Sequence, residues 1–470
     1  MPQLADVFEA LTGERPSGAE QWISGATHDS RLATEGSLFV ALQGESTDGH
    51  EYVAQAFEQG ALVALVEREL GADFNCVDIT QGETLSAKNS QLPLCIRCEN
   101  SLTALQDLAR FWRRKLDLRV VGITGSVGKT TSKEVIFDVL NQRFATIKSE
   151  GNYNNEIGLP LTIIGLEASH EYAVLEMGFY VPGEIAFLAE IAQPQIGVVS
   201  TVGLVHAERA GSQQAIFEGK SELVQALPAD GLAILNRDDA LVSQMAERTQ
   251  AEVLFYGLHQ EAHLRATKLE SLGLNGVRFQ LSYQGEHQTA TVPMLGAHSV
   301  YTALRAAAVG FAAGMDWGQI LAGLSAGSAD VRLVPSKARN GATLLNDTYN
   351  ASPDSTLAAL DLLAELEGRR IAVLGDMLEL GPYEEQGHID VGRRVAKIAD
   401  LLLTVGQRAR TIAAAAEEKG LPEEVIHQFA DSEAALNFLR QNLRSSDAVL
   451  VKGSRAMQME GIVPQLEVLP

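Results

Sequence analysis

Short runs of aliphatic and β-branched residues alternate along most of this chain with longer stretches that place apolar residues three and four apart. A run that is apolar throughout fits a strand buried on both faces, and the three-four spacing fits a helix packed over such a sheet. The alternation predicts an α/β protein built on open, mostly parallel sheets. The clearest strands are residues 120–123, 172–175, 196–202, 232–235, 371–374, 401–405 and 448–451. Between residues 251 and 291 the runs become short and alternating, which predicts an antiparallel excursion.

A chain of 470 residues exceeds what one core organises, and the pattern divides it into three units. Residues 1–100 read as a small α/β domain, with Leu4, Val7, Phe8 and Leu11 at helical spacing, a strand at 36–42, and a helix carrying Val53, Ala56, Phe57 and Ala61. A helix over 101–116, with Leu105, Leu108, Ala109 and Trp112, leads into a central domain spanning 101–328. Residues 329–470 repeat the doubly wound pattern and read as a Rossmann-like domain.

The first strand of the central unit ends in Thr124-Gly125-Ser126-Val127-Gly128-Lys129-Thr130-Thr131, and a helix with Val135, Ile136, Val139 and Leu140 follows. Glycines at 125 and 128 let the backbone approach a polyphosphate, and amides at the helix N-terminus receive its oxygens. Lys129 supplies a charge for the β- and γ-phosphates, and the Thr130 hydroxyl is a ligand for Mg²⁺. The loop departs from the usual phosphate-loop spacing, because Ile123 stands where the first glycine is expected. Strand before and helix after nonetheless predict ATP binding.

Other polar residues fall at the carboxyl ends of predicted strands, where open α/β sheets bind ligands. Glu176 ends one strand and His206 follows another; a carboxylate there is a hard ligand for Mg²⁺ beside a γ-phosphate. The third unit places Asp347, Asn350, Lys452 and Arg455 at strand ends, with Arg332 near its start, where they can close over nucleotide and substrate. In the first unit, Ser30-Arg31 and Asp48-Gly49-His50 are polar turns; a loop arginine beside a serine can hold a phosphate, and a solvated loop explains them equally well. On a predicted helix, Lys220 reads by itself as a surface lysine.

The net charge of −23 argues against a nucleic-acid or anionic-membrane partner, so the cations of an anion site must be concentrated locally. No signal peptide and no apolar run of membrane-spanning length is present, which predicts a cytoplasmic protein without membrane insertion, expected to act as a monomer. Cys95 and Cys98 have metal-ligand spacing, but no second pair accompanies them and a buried structural role is expected.

Together the motifs at 124–130, Gly151-Asn-Tyr-Asn154-Asn-Glu-Ile-Gly158, 175–178, His206-Ala-Glu208 and Gly296-Ala-His298 resemble the Mur ligase family. The resemblance spans all three units and implies an ATP- and Mg²⁺-dependent amide-bond-forming ligase of peptidoglycan precursor synthesis. Residues 346–353, 375–381 and 451–457 look like the member that joins D-alanyl-D-alanine to UDP-N-acetylmuramoyl-tripeptide. The Asp-Asn-Pro-Arg motif of the diamino-acid-adding ligase is absent. The alternatives are that neighbouring ligase, a related amide ligase such as folylpolyglutamate synthase, or a nucleotide switch that does no chemistry.

By the same resemblance, Lys129 and the amides of 124–131 bind ATP, Thr130 and Glu176 hold one Mg²⁺, and His206 helps hold a second. Lys220 matches the family's carbamylated lysine. Arg332 and Asp347 contact the nucleotide from the third domain, with His298 beside it. Ser30 and Arg31 face the uridine nucleotide, with Asp48 and His50 nearby, and Asn154, Asn350, Lys452 and Arg455 serve the substrates. Where many members carry two asparagines after the histidine, this chain has Ser299 and Thr302, which puts the adenine contacts in question.

Overall fold

The structure is a computed structural model and describes residues 1–44, 47–86, 89–204, 207–327 and 333–467. Its three sheets follow the three units. The first holds β1 (Ala26–Thr27), β2 (Leu38–Val40), β3 (Val63–Val66), β4 (Cys76–Asp78) and β5 (Leu94–Arg97), in the order β1-β2-β3-β5-β4 and all parallel.

The central sheet has nine strands. They are β6 (Arg119–Thr124), β7 (Thr146–Lys148), β8 (Tyr172–Glu176), β9 (Ile196–Val199), β10 (Leu232–Asn236), β11 (Glu252–Gly257), β12 (Leu264–Ser271), β13 (Val277–Tyr283) and β14 (Glu286–Val292). Their order is β14-β13-β12-β11-β10-β9-β6-β8-β7. β6 therefore sits at a switch point, with its next two strands on one side and β9 to β11 on the other, and the crevice beyond its carboxyl end is where such sheets take ligands.

The antiparallel excursion begins later than the pattern predicts. A short helix (Ala240–Gln244) and the turn Met245–Arg248 make a crossover that returns β11 parallel to β10; β12 also pairs parallel with β11, and only the β12–β13 and β13–β14 pairings are antiparallel. β9 also ends earlier than expected, at Val199. Beyond it the Ser200 amide donates to the Thr124 carbonyl and the Thr201 carbonyl accepts from Ser126, so this backbone braces the neighbouring loop.

The third sheet holds β15 (Val334–Lys337), β16 (Thr343–Asp347), β17 (Arg369–Gly375), β18 (Leu401–Val405), β19 (Ile426–Phe429) and β20 (Asp447–Lys452). The order is β15-β16-β20-β17-β18-β19, parallel except for β15.

One hydrophobic core runs through the first two units. Helix Ser101–Arg114 joins them, started by the Asn100 side chain accepting from the Thr103 amide and burying Leu105, Leu108, Ala109 and Trp112. Each of the two leucines contributes ~1.5–3 kcal/mol by leaving water. Arg113 is buried in the same joint, where it donates to the carbonyls of Ala192, Leu116 and Leu118 at 2.8, 3.0 and 3.1 Å. Cys95 and Cys98 are buried free thiols whose pKa values burial pushes up to about 12 and about 11, which makes them inert. Among the described residues, no helix is long and apolar enough to cross a membrane.

Candidate functional site

β6 is buried from Val120 to Thr124 and delivers the glycine loop to the switch point. Gly128, at φ 84°, is the N-cap of helix Lys129–Leu140, and no side chain caps that end, so the positive end of the helix dipole is open to an anion. Gly125 has φ 145°, and a Cβ there would stand 1.8 Å from Ser200 Oγ. That hydroxyl donates to the Val127 carbonyl at 2.7 Å, while Ser126 exchanges hydrogen bonds with Gly203 through its side chain. The loop is thus held by the segment after β9. Gly125→Ala is expected to destabilise the nucleotide-free protein by about 1–3 kcal/mol through backbone strain, read as a lowered melting temperature.

Residues distant in sequence converge next to this loop. Ile123 of β6 pairs with Glu176 at the end of β8, which carries the Glu176 carboxylate to the first turn of the helix. Its Oε2 accepts from Thr130 Oγ1 at 2.9 Å and its Oε1 accepts from Asn154 Nδ2 at 2.8 Å. The carboxylate is buried and oriented from both sides. Lys133 is also buried; its ammonium reaches the Gly151 carbonyl at 2.9 Å and Glu134 at 3.1 Å, tying the loop that carries Asn154 to the helix. Lys129 Nζ donates to the carbonyl of Gly125 at 2.9 Å, poised over the loop. The described residues contain no cluster of three His, Cys, Asp or Glu. A hydroxyl and one carboxylate are hard oxygen donors, suited to a Mg²⁺ that keeps water and phosphate oxygens as its other ligands.

Lys220 is not the surface residue that its helix pattern alone implies. Helix Gln213–Gln225 turns it inward, and its side chain is buried with Nζ 4.8 Å from the centre of the Phe179 ring. Burial first, and then the charge of Lys129, push its pKa well below the usual 10.5, and no carboxylate among the described residues offsets this.

The third unit faces the loop across a cavity of about 640 Å³. On that side Lys452 is buried, with Nζ donating to Asp347 Oδ2 at 2.6 Å and to the Asn350 carbonyl at 3.0 Å. From the central unit, His298 lines the same cavity, its pKa lowered by burial so that the ring is neutral at neutral pH. Ser299 Oγ donates to the Met294 carbonyl, and Thr302 Oγ1 accepts from Arg305.

The remaining candidates lie elsewhere. Ser30 is buried and donates to Gln55 Oε1 at 2.8 Å. Arg31 is exposed and grips Asp29 through two nitrogens, pulling that carboxyl down to about 2. Both ring nitrogens of buried His50 are engaged: Nδ1 meets Asp48 Oδ1 at 2.6 Å, and Nε2 accepts from the Glu67 amide at 2.9 Å. That geometry makes the pair a brace for its turn and leaves the imidazole no further partner to take. Arg455 stands 5.7 Å over the Tyr349 ring, beside a separate depression of about 490 Å³. His206 and Arg332 fall outside the described residues.

Sequence reasoning missed Arg305 and Asp354, which also line the cavity. Arg305 had a readable signal, being the one charge in helix Ser299–Ala312. Asp354 had none; it reaches the site only because helix Pro353–Glu365 starts there, and burial together with Asp239 raises its pKa.

A glycine phosphate loop at the switch point of a parallel sheet, faced by a second α/β unit across a cleft, defines a nucleotide-binding protein of the phosphate-loop class. Family models agree on its kind: the Mur ligase middle domain matches residues 123–310, the Mur ligase glutamate ligase domain 331–455, and the Mur ligase family catalytic domain 22–113. The chain belongs to the Mur ligase family. It is 36% identical to the UDP-N-acetylmuramoyl-tripeptide–D-alanyl-D-alanine ligase of Synechocystis, over 93% of this chain and 90% of that one. The crystal structure of MurF from Acinetobacter baumannii superposes with a TM-score of 0.83 at 29% identity, covering 99% of both chains. MurF from Thermotoga maritima, in complex with ADP, gives 0.77 at 26% identity, covering 94% of this chain and 96% of that one.

Proposed function

We propose that this protein is the ATP-dependent ligase that joins D-alanyl-D-alanine to UDP-N-acetylmuramoyl-tripeptide. The observation that carries the reading is the meeting of Thr130, Asn154 and Glu176 beside the phosphate loop, opposite the Asp347–Lys452 pair. The near-full-length likeness to ligases of that name supplies the substrates.

The reaction runs in two steps. The tripeptide's terminal carboxylate attacks the γ-phosphorus of ATP, forming an acyl phosphate and releasing ADP. The amine of the dipeptide then attacks the acyl carbon, loses a proton, and phosphate leaves. The loop amides and Lys129 hold the phosphates and stabilise charge on the transferring group. Mg²⁺, held by Thr130 and Glu176, neutralises phosphate charge when bound. His206 and a carbamylated Lys220 serve a second ion in this reading. Its low pKa favours the modification, because a neutral amine adds CO₂ and releases a proton to become a carbamate.

Asp347 and Arg332 approach the nucleotide from the third domain, and closure of that domain shields the acyl phosphate from water. Asn350, Lys452 and Arg455 line the approach of the dipeptide. Ser30 and Arg31 hold the uridine diphosphate, with Asp48 and His50 bracing the turn beside them. This divides the labour among residues 1–100, 101–328 and 329–470, in a cytoplasmic enzyme.

The test is phosphate release from ATP and Mg²⁺ with the UDP-linked tripeptide, with and without D-alanyl-D-alanine. Release that requires both, with the pentapeptide identified by mass, is the expected result. Release supported by a free amino acid in place of the dipeptide overturns the reading.

A further inference from the structure

The cavity contains one buried cation that the reaction as described does not use. Arg305 retains 4% of its surface, yet its side chain borders the cavity. Its Nε donates to Ser132 Oγ at 2.7 Å, Nη1 to the Tyr256 hydroxyl at 3.3 Å, and Nη2 to Thr302 Oγ1 at 2.9 Å. All three partners are neutral. Ser132 passes its own proton to the Gly128 carbonyl, and Tyr256 passes its proton to the Val199 carbonyl, so each oxygen turns a lone pair to the guanidinium.

No carboxylate among the described residues lies within 4 Å of Arg305. Other acids border the cavity: Asp239 accepts from the amides of Val202, Leu241 and Val242, Asp238 from those of Leu258 and His259, and Asp347 from Lys452, while burial raises the pKa of Asp354. A buried guanidinium that is hydrogen-bonded but not neutralised carries a desolvation penalty that an anion relieves. A guanidinium has five N–H groups and three are occupied here, leaving one on each terminal nitrogen. The position fixes which anion. A Cβ built on Gly128 of the phosphate loop would stand 3.1 Å from Arg305 Nη2, and Ser132 lies on the helix that the loop starts.

We propose that Arg305 is a phosphate-binding residue of the nucleotide site, donating from beneath Gly128 to the phosphates and held in place by Ser132, Tyr256 and Thr302. This rests on the nucleotide-binding reading above. It also accounts for Thr302: at a position where an amide would serve adenine, the hydroxyl serves as acceptor for the guanidinium. Arginine suits this role better than lysine, because a planar fork can keep its three internal bonds and still present two donors.

The experiment is calorimetric titration of the full-length protein with ADP and, separately, with adenosine. Arg305→Met is expected to weaken ADP by about 10–100-fold, the scale of a charge-assisted hydrogen bond. Adenosine, which has no phosphate, should change by less than about twofold. Arg305→Lys, which keeps the charge but loses the fork, should fall between wild type and Arg305→Met for ADP, and it decides the matter if Arg305→Met does not fold. Ser132→Ala removes the bond to Arg305 Nε and the bond to the Gly128 carbonyl but leaves the guanidinium and its charge, so ADP binding should fall by less than in Arg305→Met. Equal weakening of ADP and adenosine in the Arg305 variants, reproduced by Ser132→Ala, would mean that the residue only pins two helices and would overturn the proposal. Unchanged ADP affinity in Arg305→Lys and Arg305→Met overturns it too, while the nucleotide reading survives. Wild-type protein that binds neither ligand overturns both.

Discussion

Replacing Lys220 with alanine is expected to lower kcat by about 10²–10³-fold, the scale of removing one preorganised electrostatic group from such a site. The expectation follows from burial. An ammonium at this position would face an aromatic ring and the charge of Lys129 with no carboxylate among the described residues to offset it. The side chain escapes that state by losing its proton, and the neutral amine is the form that reacts with CO₂. The sign of the pH effect follows. The pKa is depressed in the folded protein, so between the folded value and 10.5 the unfolded chain holds one more proton. Burying the unmodified lysine therefore costs more as pH falls through that window, and the cost levels off below the folded pKa. Lys220→Met should then melt at or above the wild-type temperature in neutral buffer without bicarbonate, even though its kcat is expected to fall as that of Lys220→Ala does. Carbamylation adds a second expectation. Wild-type enzyme in CO₂-depleted buffer should lose activity that bicarbonate restores, and Lys220→Ala should recover part of its rate with acetate or propionate. Labelling with ¹³CO₂ should give a carbamate resonance that Lys220→Ala lacks. A Lys220→Ala enzyme within a few-fold of wild type would remove Lys220 from the mechanism.

How far the sequence could be read depended on where each element lies in its sheet. Interior strands such as β6, β8, β18 and β20 are buried along nearly their whole length, and their apolar runs are conspicuous. The strands that gave little pattern are at the margins. β7, β4 and β19 are short, half-exposed edge strands, and β15 joins its sheet antiparallel at another edge. One face of an edge strand meets solvent, so its composition resembles a loop.

The site divides in a similar way. The phosphate loop is contiguous and carries its own signal, whereas Asn154, Glu176 and Thr130 meet only because β6 pairs with β8. Lys220 shows the limit of reading by helix pattern, since its burial comes from packing beneath Phe179, which spacing does not encode. Arg305 shows the opposite case: a lone charge among small apolar residues is visible in the sequence, but its partners Ser132 and Tyr256 lie 173 and 49 residues away.

Glu176→Gln is expected to reduce kcat by about 10²–10³-fold while barely disturbing the fold, because the amide matches the carboxylate in size. The two oxygens of Glu176 accept from two different donors, Thr130 Oγ1 and Asn154 Nδ2. Glutamine can keep its one acceptor oxygen on Asn154 Nδ2 and turn its NH₂ toward Thr130 Oγ1, whose hydroxyl then has to accept where it had donated. The larger loss is the charge, on which the proposed role of Glu176 as a ligand for Mg²⁺ depends. The Mg²⁺ concentration for half-maximal activity should therefore rise about tenfold or more, whereas ADP binding measured in EDTA should change little. Asn154→Ala separates orientation from ligation. It frees one oxygen of the carboxylate but keeps the charge, so it should lower kcat by only about tenfold and leave the Mg²⁺ requirement nearly unchanged. The two variants thus differ in kind, not just in degree. If Glu176→Gln and Asn154→Ala lost activity equally with the same Mg²⁺ dependence, the carboxylate would be a brace for the 151–155 loop, and the metal would have to be held by the nucleotide and Thr130 alone.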